Sequence, residues 1–160
     1  MNQQEFVTLI KPFKDKLFRL AKRMLVSTEE AEDATQEVLL KLWKADTKAF
    51  KSVEAMAMTM TKNYCLDQLK SKRSTNLSLV HTNYSDNSFL EKQIVDRDNL
   101  SFVEKIINTL PEQQKMIVQL REIEEYEFAE IAKILDMNET AIRVSLSRAR
   151  KTIKEKFSQL

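Results

Sequence analysis

The stretch 128–156, FAEIAKILDMNETAIRVSLSRARKTIKEK, decides the fold of this chain. It reads as two helices separated by a tight turn. In the first helix Phe128, Ile131, Ala132 and Leu135 recur at helical spacing, and the small Ala132 lets a second helix cross closely. The turn is Asp136, Met137 and Asn138. Asp and Asn tolerate left-handed backbone angles, and Asn138 can cap the next helix through its side-chain oxygen. With residues of that second helix placed at about 100° each, Ile142, Leu146, Ala149, Ile153 and Phe157 share one sector and predict a buried stripe. Opposite it lie Thr140, Arg143, Val144, Ser147, Lys151 and Lys154, flanked by Arg148 and Arg150.

From Thr140 to Leu160 there are six Lys or Arg against one acid, Glu155. A helix with a basic, hydroxyl-bearing outer face, preceded by a tight turn and a supporting helix, has the geometry to enter the DNA major groove. Arg143 and Arg148 can read guanine edges through two hydrogen bonds each, Val144 can touch a thymine methyl, and Ser147 can serve either base. Lys151 and Lys154 would hold phosphates. The plainer reading is a basic terminal helix with a solvated face. Helix spacing, turn and charge together favour the groove reading.

The whole chain, 160 residues with 42% hydrophobic and 31% charged, has a soluble globular balance and room for one domain or two small ones. No run is apolar enough to span a membrane, and MNQQEFVTLIKPF lacks the pattern of a signal peptide, so a cytoplasmic protein is expected. The single Cys65 cannot form an internal disulfide, which agrees with a reducing compartment. There is no glycine, and Pro12 and Pro111 are the only prolines. Hairpin turns and phosphate-cradling loops rely on glycine, so an all-α fold without a Gly-rich nucleotide loop is expected. The net charge of +2 averages unlike parts: eight of the nine acids within 111–160 precede Thr140.

Towards the N-terminus, Phe6, Ile10, Phe13, Leu17, Leu20, Ala21 and Met24 predict an amphipathic helix that Pro12 kinks or restarts. Ser27-Thr28-Glu29-Glu30 reads as a capping box opening a helix from Thr28 to about Lys44, with Ala31, Ala34, Val38 and Leu42 inward. Asp33, Gln36, Glu37 and Leu40 share the opposite sector, with Trp43 beside them. An exposed leucine among acids suggests a docking face for a basic partner; an ordinary acidic face with a stray leucine is the other reading. The loop 45–51 carries Lys48, Phe50 and Lys51, and Ser52 then caps a long helix from about Val53 to Lys72. Val53, Met56, Ala57, Met60 and Tyr64 are expected to face the core, whereas Thr59, Lys62, Asn63, Lys70 and Arg73 gather on a polar face. An aromatic loop with lysines before a basic helix suits single-stranded nucleic acid.

Residues 74–98 have the composition of a linker and separate two expected domains, 1–73 and 99–160. The second begins with a helix carrying Phe102, Ile106 and Ile107, followed by PEQQKMIVQLRE, in which Pro111 suits the first turn. Cys65 is assigned to packing and His81 to the linker; neither has neighbours at metal-ligand spacing, and no cofactor, metal site or catalytic constellation is expected. The chain is therefore not expected to be an enzyme. A free-standing helix-turn-helix regulator remains an alternative, for which the N-terminal half would have to supply dimerisation or sensing.

Three stretches resemble the extracytoplasmic-function (ECF) group of bacterial RNA polymerase sigma factors, in the sigma-70 family. Glu30 to Glu37 with Leu42-Trp43 resembles regions 2.1 to 2.2, Lys62-Asn63 with Asp67 and Arg73 resembles region 2.4, and Leu110-Pro111 through Glu130-Ile131-Ala132 to Arg148-Ala149-Arg150 resembles region 4. The resemblance implies a region 2 helical bundle and a region 4 helix-turn-helix, joined by a flexible linker. It implies that Asp33, Gln36, Glu37 and Leu40 dock on the β′ clamp helices of core polymerase, with the β flap as a further contact. Lys48, Phe50, Lys62, Asn63, Lys70 and Arg73 would serve the −10 promoter element, and Thr140, Arg143, Val144, Ser147, Arg148 and Lys151 the −35 element. It also implies an anti-sigma factor as a regulator. Glycines usual in the family before and within the helix-turn-helix are replaced here by Glu124 to Tyr126 and by Asp136.

Overall fold

A computed structural model describes residues 1–77 and 99–159, and every regular element among them is helical. Helix α1 (Gln3–Ile10) opens on a reciprocal cap in which Asn2 Oδ1 accepts from the Glu5 amide at 2.8 Å and the Glu5 carboxylate accepts from the Asn2 amide. Pro12 lies in the turn that ends it, so the long helix expected there is two, α1 and α2 (Lys14–Leu25). Helix α2 stops at Val26, which has φ 69°, and the Ser27 amide donates to the Leu25 carbonyl at 2.8 Å across it. A three-residue turn centred on a β-branched residue at positive φ is strained. Lys22 secures it by donating from Nζ to the Val26 carbonyl and the Thr28 hydroxyl.

That turn leaves only half of the expected capping box at the start of α3 (Thr28–Lys44). Ser27 Oγ accepts from the Glu30 amide, but the Ser27 amide is already engaged with Leu25, and the Glu30 carboxylate pairs with Lys72. The inward stripe of Ala31, Ala34, Val38 and Leu42 is buried as expected. A short turn of 3₁₀ helix (Thr47–Ala49) leads to Ser52, whose hydroxyl caps α4 (Val53–Leu77) through the Ala55 amide. Helix α4 continues past Lys72 to Leu77 and so occupies the first residues assigned to the linker; residues 78–98, with His81, lie outside those described.

The C-terminal part begins with α5 (Asn99–Asn108), whose Ile106 and Ile107 are buried, and Pro111 then caps α6 (Glu112–Val118) from an extended conformation. Helix α6 does not run on uniformly. It widens into a π-turn, Gln119–Ile123, in which the Glu124 amide donates to the Gln119 carbonyl. Glu125 follows at φ 62°, and α7 (Phe128–Leu135) and α8 (Glu139–Ser158) complete the chain.

The buried apolar residues of both parts form one contiguous core, because α2 packs on α3, α4 and α6, and α4 packs on α7. Between the parts lies a polar clasp. Arg19 and Arg23, one turn apart on α2, both reach across. Arg19 forks onto the Glu124 carboxylate with Nε and Nη2 at 2.8 and 2.7 Å, and Gln119 Nε2 donates to the same carboxylate at 2.9 Å. Arg23 Nε donates to Gln119 Oε1 at 2.9 Å, while Arg23 Nη1 meets Asn108 and Glu104. The hydrogen bond to Glu124 raises the Arg19 pKa above the ordinary arginine value. Beside the clasp Tyr126 is buried under Lys16, which lies 5.0 Å from its ring centroid.

Two buried acids titrate at alkaline pH. Burial pushes the Cys65 thiol up to about 12, and burial followed by the Glu54 carboxylate pushes the Tyr126 phenol still further. Folding favours the neutral form of each, so their contribution is fully present below the unfolded thiol pKa of about 8.5 and is lost as pH rises through the folded values. Urea unfolding between pH 8 and 12 is therefore expected to show falling stability, with a shallower fall in Cys65→Ala. An unchanged slope would remove Cys65 from the account. In the clasp, Glu124 is 2% exposed and serves two donors, so Glu124→Ala is expected to lower stability by about 2 kcal/mol and to enlarge the radius of gyration measured by small-angle scattering.

Candidate nucleic-acid interface

The helix-turn-helix is built as its residue types dictate. Ile131, Ile134 and Leu135 bury one side of α7, and Asp136 ends the helix in the left-handed region at φ 53°, where glycine is the easier residue. Asn138 caps α8 by accepting from the Ala141 amide at 2.7 Å. Ile142, Leu146 and Ala149 then bury the inner stripe of α8, as the spacing predicts. Phe157, assigned to that stripe, is exposed instead. It stands next to the last residue of the helix, Ser158, in the final turn.

The outer face of α8 presents Thr140, Arg143, Val144, Ser147, Arg148 and Lys151 together, all exposed, with Lys154. Arg143 makes a loose ion pair with Glu139, one turn back, at 3.9 Å, and Arg150 turns aside to Glu122. Helix α8 thus carries an exposed face with cations and hydroxyls interleaved.

On α3, Asp33, Gln36, Glu37 and Leu40 are likewise exposed on one face, Leu40 at 47%. Trp43 continues this face, half-exposed, with its ring edge-on to Phe6 of α1 at 5.0 Å between centroids. An apolar pair this accessible beside three polar side chains is a ready docking surface.

The residues assigned to the −10 element do not form one open face. Asn63, Lys70 and Lys48 are exposed, whereas Phe50 is half-buried against the core and Lys62 is only 9% exposed. Arg73 is exposed but pairs with Glu112 of α6. Of the stripe expected to face the core, Ala57 is fully buried and Val53, Met56, Met60 and Tyr64 only partly, while burial extends to Met58, Thr61, Lys62 and Cys65 because α2, α3 and α7 all pack on this helix. Sequence reasoning also passed over the clasp residues and the ring of Phe128, over which both Arg121 and Arg143 lie. The repeat of arginines at 19 and 23 was the available signal for the clasp; nothing in the spacing marked the ring.

Among the described residues no group of His, Cys, Asp or Glu is arranged to hold a metal ion, and no helix is long and apolar enough to cross a membrane.

A basic recognition helix on a tight helix-turn-helix, packed on a second helical unit with its own docking face, defines a two-part DNA-binding protein. The family models for sigma-70 region 2 and sigma-70 region 4 match residues 9–75 and 103–153. The ECF RNA polymerase sigma-E factor of Escherichia coli K12 is 26% identical over 99% of this chain and 90% of its own length. The ECF sigma factor SigW of Bacillus subtilis is 21% identical over 99% and 92%. Among solved structures, the sigma factor RpoE in complex with the anti-sigma factor NepR from Bartonella quintana superposes with TM-score 0.78 at 18% identity, covering 98% of both chains. CnrH in complex with the cytosolic domain of CnrY gives 0.73 at 17% identity, covering 99% of this chain and 90% of that one.

This chain belongs to the sigma-70 family of RNA polymerase sigma factors, in its ECF group. Its function is in transcription initiation with RNA polymerase, and the relatives named are sigma factors rather than enzymes or free-standing regulators.

Proposed function

We propose that the chain divides this work among three surfaces: α3 docks core polymerase, α4 with the loop before it takes the −10 element, and α8 reads the −35 element. The observation that carries the reading is the outer face of α8, where Thr140, Arg143, Val144, Ser147, Arg148 and Lys151 are exposed together on a capped helix. Phosphate contacts from Lys151 fix register, while Arg143, Val144, Ser147 and Arg148 face base edges. Asp33, Gln36, Glu37 and Leu40 meet the basic, helical surface of the β′ clamp, and region 4 meets the β flap. Lys48, Phe50, Lys62, Asn63, Lys70 and Arg73 receive the opened −10 strand, where unstacking a base costs a few kcal/mol that stacking and hydrogen bonds offset.

The domain division is a first domain ending with α4 at Leu77, past the boundary expected at 73, then a linker up to residue 98, and a second domain over 99–160. Tethering two readers raises the effective concentration of each, so neither need bind tightly alone. Since α7 packs on α4 and Arg73 is paired with Glu112 of α6, the C-terminal part moves off α4 when both elements are read at once. The protein works in the bacterial cytoplasm with no catalysis of its own. An anti-sigma factor, as NepR is to the solved RpoE named above, is its regulator.

The test is transcription in vitro from fragmented genomic templates with sigma-free core polymerase. New starts preceded by two shared elements at fixed spacing are expected only when the chain is added; a chain that binds duplex DNA but yields no starts would reverse the reading. Arg148→Ala is expected to lose about 1 to 3 kcal/mol at a single upstream position. The double substitution Asp33→Lys and Glu37→Lys is expected to abolish co-purification with core polymerase while leaving far-UV circular dichroism unchanged, and retained co-purification would move the docking face elsewhere.

A further inference from the structure

Phe128 is the first residue of α7 and is half-buried. Two guanidinium groups from different elements lie over its ring, Arg121 of the π-turn at 4.3 Å and Arg143 of α8 at 4.2 Å from the centroid. The two arginines are held differently. Arg121 Nη1 donates to the Tyr126 carbonyl at 2.9 Å, which anchors it to the loop that passes through left-handed Glu125. Arg143 has no such anchor among the described residues: its ion pair to Glu139 is 3.9 Å long, and its side chain is 61% exposed. The ring, its centroid 4.2 Å away, is the other group that restrains it.

Stacking and hydrogen bonding use different parts of an arginine. The planar face lies on the ring, and the N–H edge stays free. Two parallel hydrogen bonds to a guanine edge demand a fixed plane, which an exposed arginine on a flexible stem does not keep unaided.

We infer that Phe128 is a specificity-determining positioning residue: its ring fixes the plane of Arg143 so that the arginine edge meets one base pair in the major groove. This rests on the reading of Arg143 as a base contact. Phe128 itself touches no base and acts through Arg143. Its effect is therefore on discrimination at one position rather than on affinity as a whole.

The experiment selects randomised duplexes with holoenzyme reconstituted from the full chain and core polymerase, and sequences the bound fraction. Arg143→Ala is expected to flatten the preference at one position by on the order of tenfold. Phe128→Leu, which keeps apolar bulk and loses the π face, is expected to flatten the same position by about two- to fivefold, with Phe128→Tyr restoring it. Adding Phe128→Leu to Arg143→Ala should change nothing further. If Arg143→Ala flattens a position that Phe128→Leu leaves sharp, the positioning role is overturned and the base contact stands. If Arg143→Ala flattens no position, the base contact fails and the inference falls with it. A uniform loss across all sequences in Phe128→Leu, with a lowered thermal midpoint and no change in preference, would show that the ring only packs.

Discussion

The forked pair between Arg19 and Glu124 is the constraint on which the arrangement of this molecule depends. A carboxylate 2% exposed must be paired and hydrogen-bonded or it destabilises the fold, and here the fork of Arg19 and the amide of Gln119 supply its partners. Gln119 is itself buried and can serve Glu124 only because its carbonyl-side oxygen is occupied by Arg23. Each polar group in the clasp thus completes its neighbour. Delivering Glu124 to this position requires the backbone to depart from α-helical geometry, and the π-turn and the left-handed Glu125 are where it does so. The irregular backbone between α6 and α7 is the local consequence of a contact made more than a hundred residues away in sequence.

The same irregularity shapes the DNA-facing part. Arg121 leaves the π-turn to bind the Tyr126 carbonyl and reaches the ring of Phe128, so the chain enters α7 from a fixed direction. Tyr126 points into the other half of the molecule while Phe128, two residues on, takes the guanidinium groups. Two aromatic residues at a spacing of two therefore serve opposite sides of one connection. The interface between the halves and the setting of the recognition helix share a single short segment.

What could be read in the sequence follows from which interactions are local. The helix-turn-helix was legible because its determinants lie within one turn of each other: Asp136 tolerating positive φ, Asn138 capping the Ala141 amide, and the stripe through Ile142, Leu146 and Ala149. The faces of α3 were legible for the same reason, since that helix buries one side only. Helix α4 was less so, because α2 and α3 of its own unit and α7 of the other all pack on it and its buried residues, Ala57, Met58, Thr61, Lys62 and Cys65, spread beyond one apolar stripe. Lys62 was consequently placed on an open face although it is covered. The capping box at Ser27 was half right: local chemistry offered Glu30 to the Ser27 amide, but the strained turn at Val26 had already satisfied that amide, and Lys72 drew the carboxylate elsewhere. Charge pairs between distant segments leave no periodicity, and the arginines at 19 and 23, though one turn apart, do not point to Glu124, Gln119 or Glu104 as their partners, so the clasp is complete only in three dimensions.

The two nucleic-acid faces stand in different states in this packing, and the difference follows from the helix that each belongs to. Helix α8 packs on α5, α6 and α7 but buries a single stripe, Ile142, Leu146 and Ala149, so the side chains of its outer face stay exposed in this packing. Helix α4 lies between its own unit and α7, the supporting helix of the helix-turn-helix. Covering α4 and holding α8 outward are accordingly two results of one docking geometry. Apolar packing of α2 on α6 and α4 on α7 holds it together with polar contacts: the Arg19 fork, the Arg23 bonds to Asn108 and Glu104, and Arg73 with Glu112. Water and counterions can replace such contacts more readily than they can replace a broad apolar seam. The polar share of this interface is the part that solvent can take over, while the apolar share holds the halves together, and both have to be given up for the halves to separate.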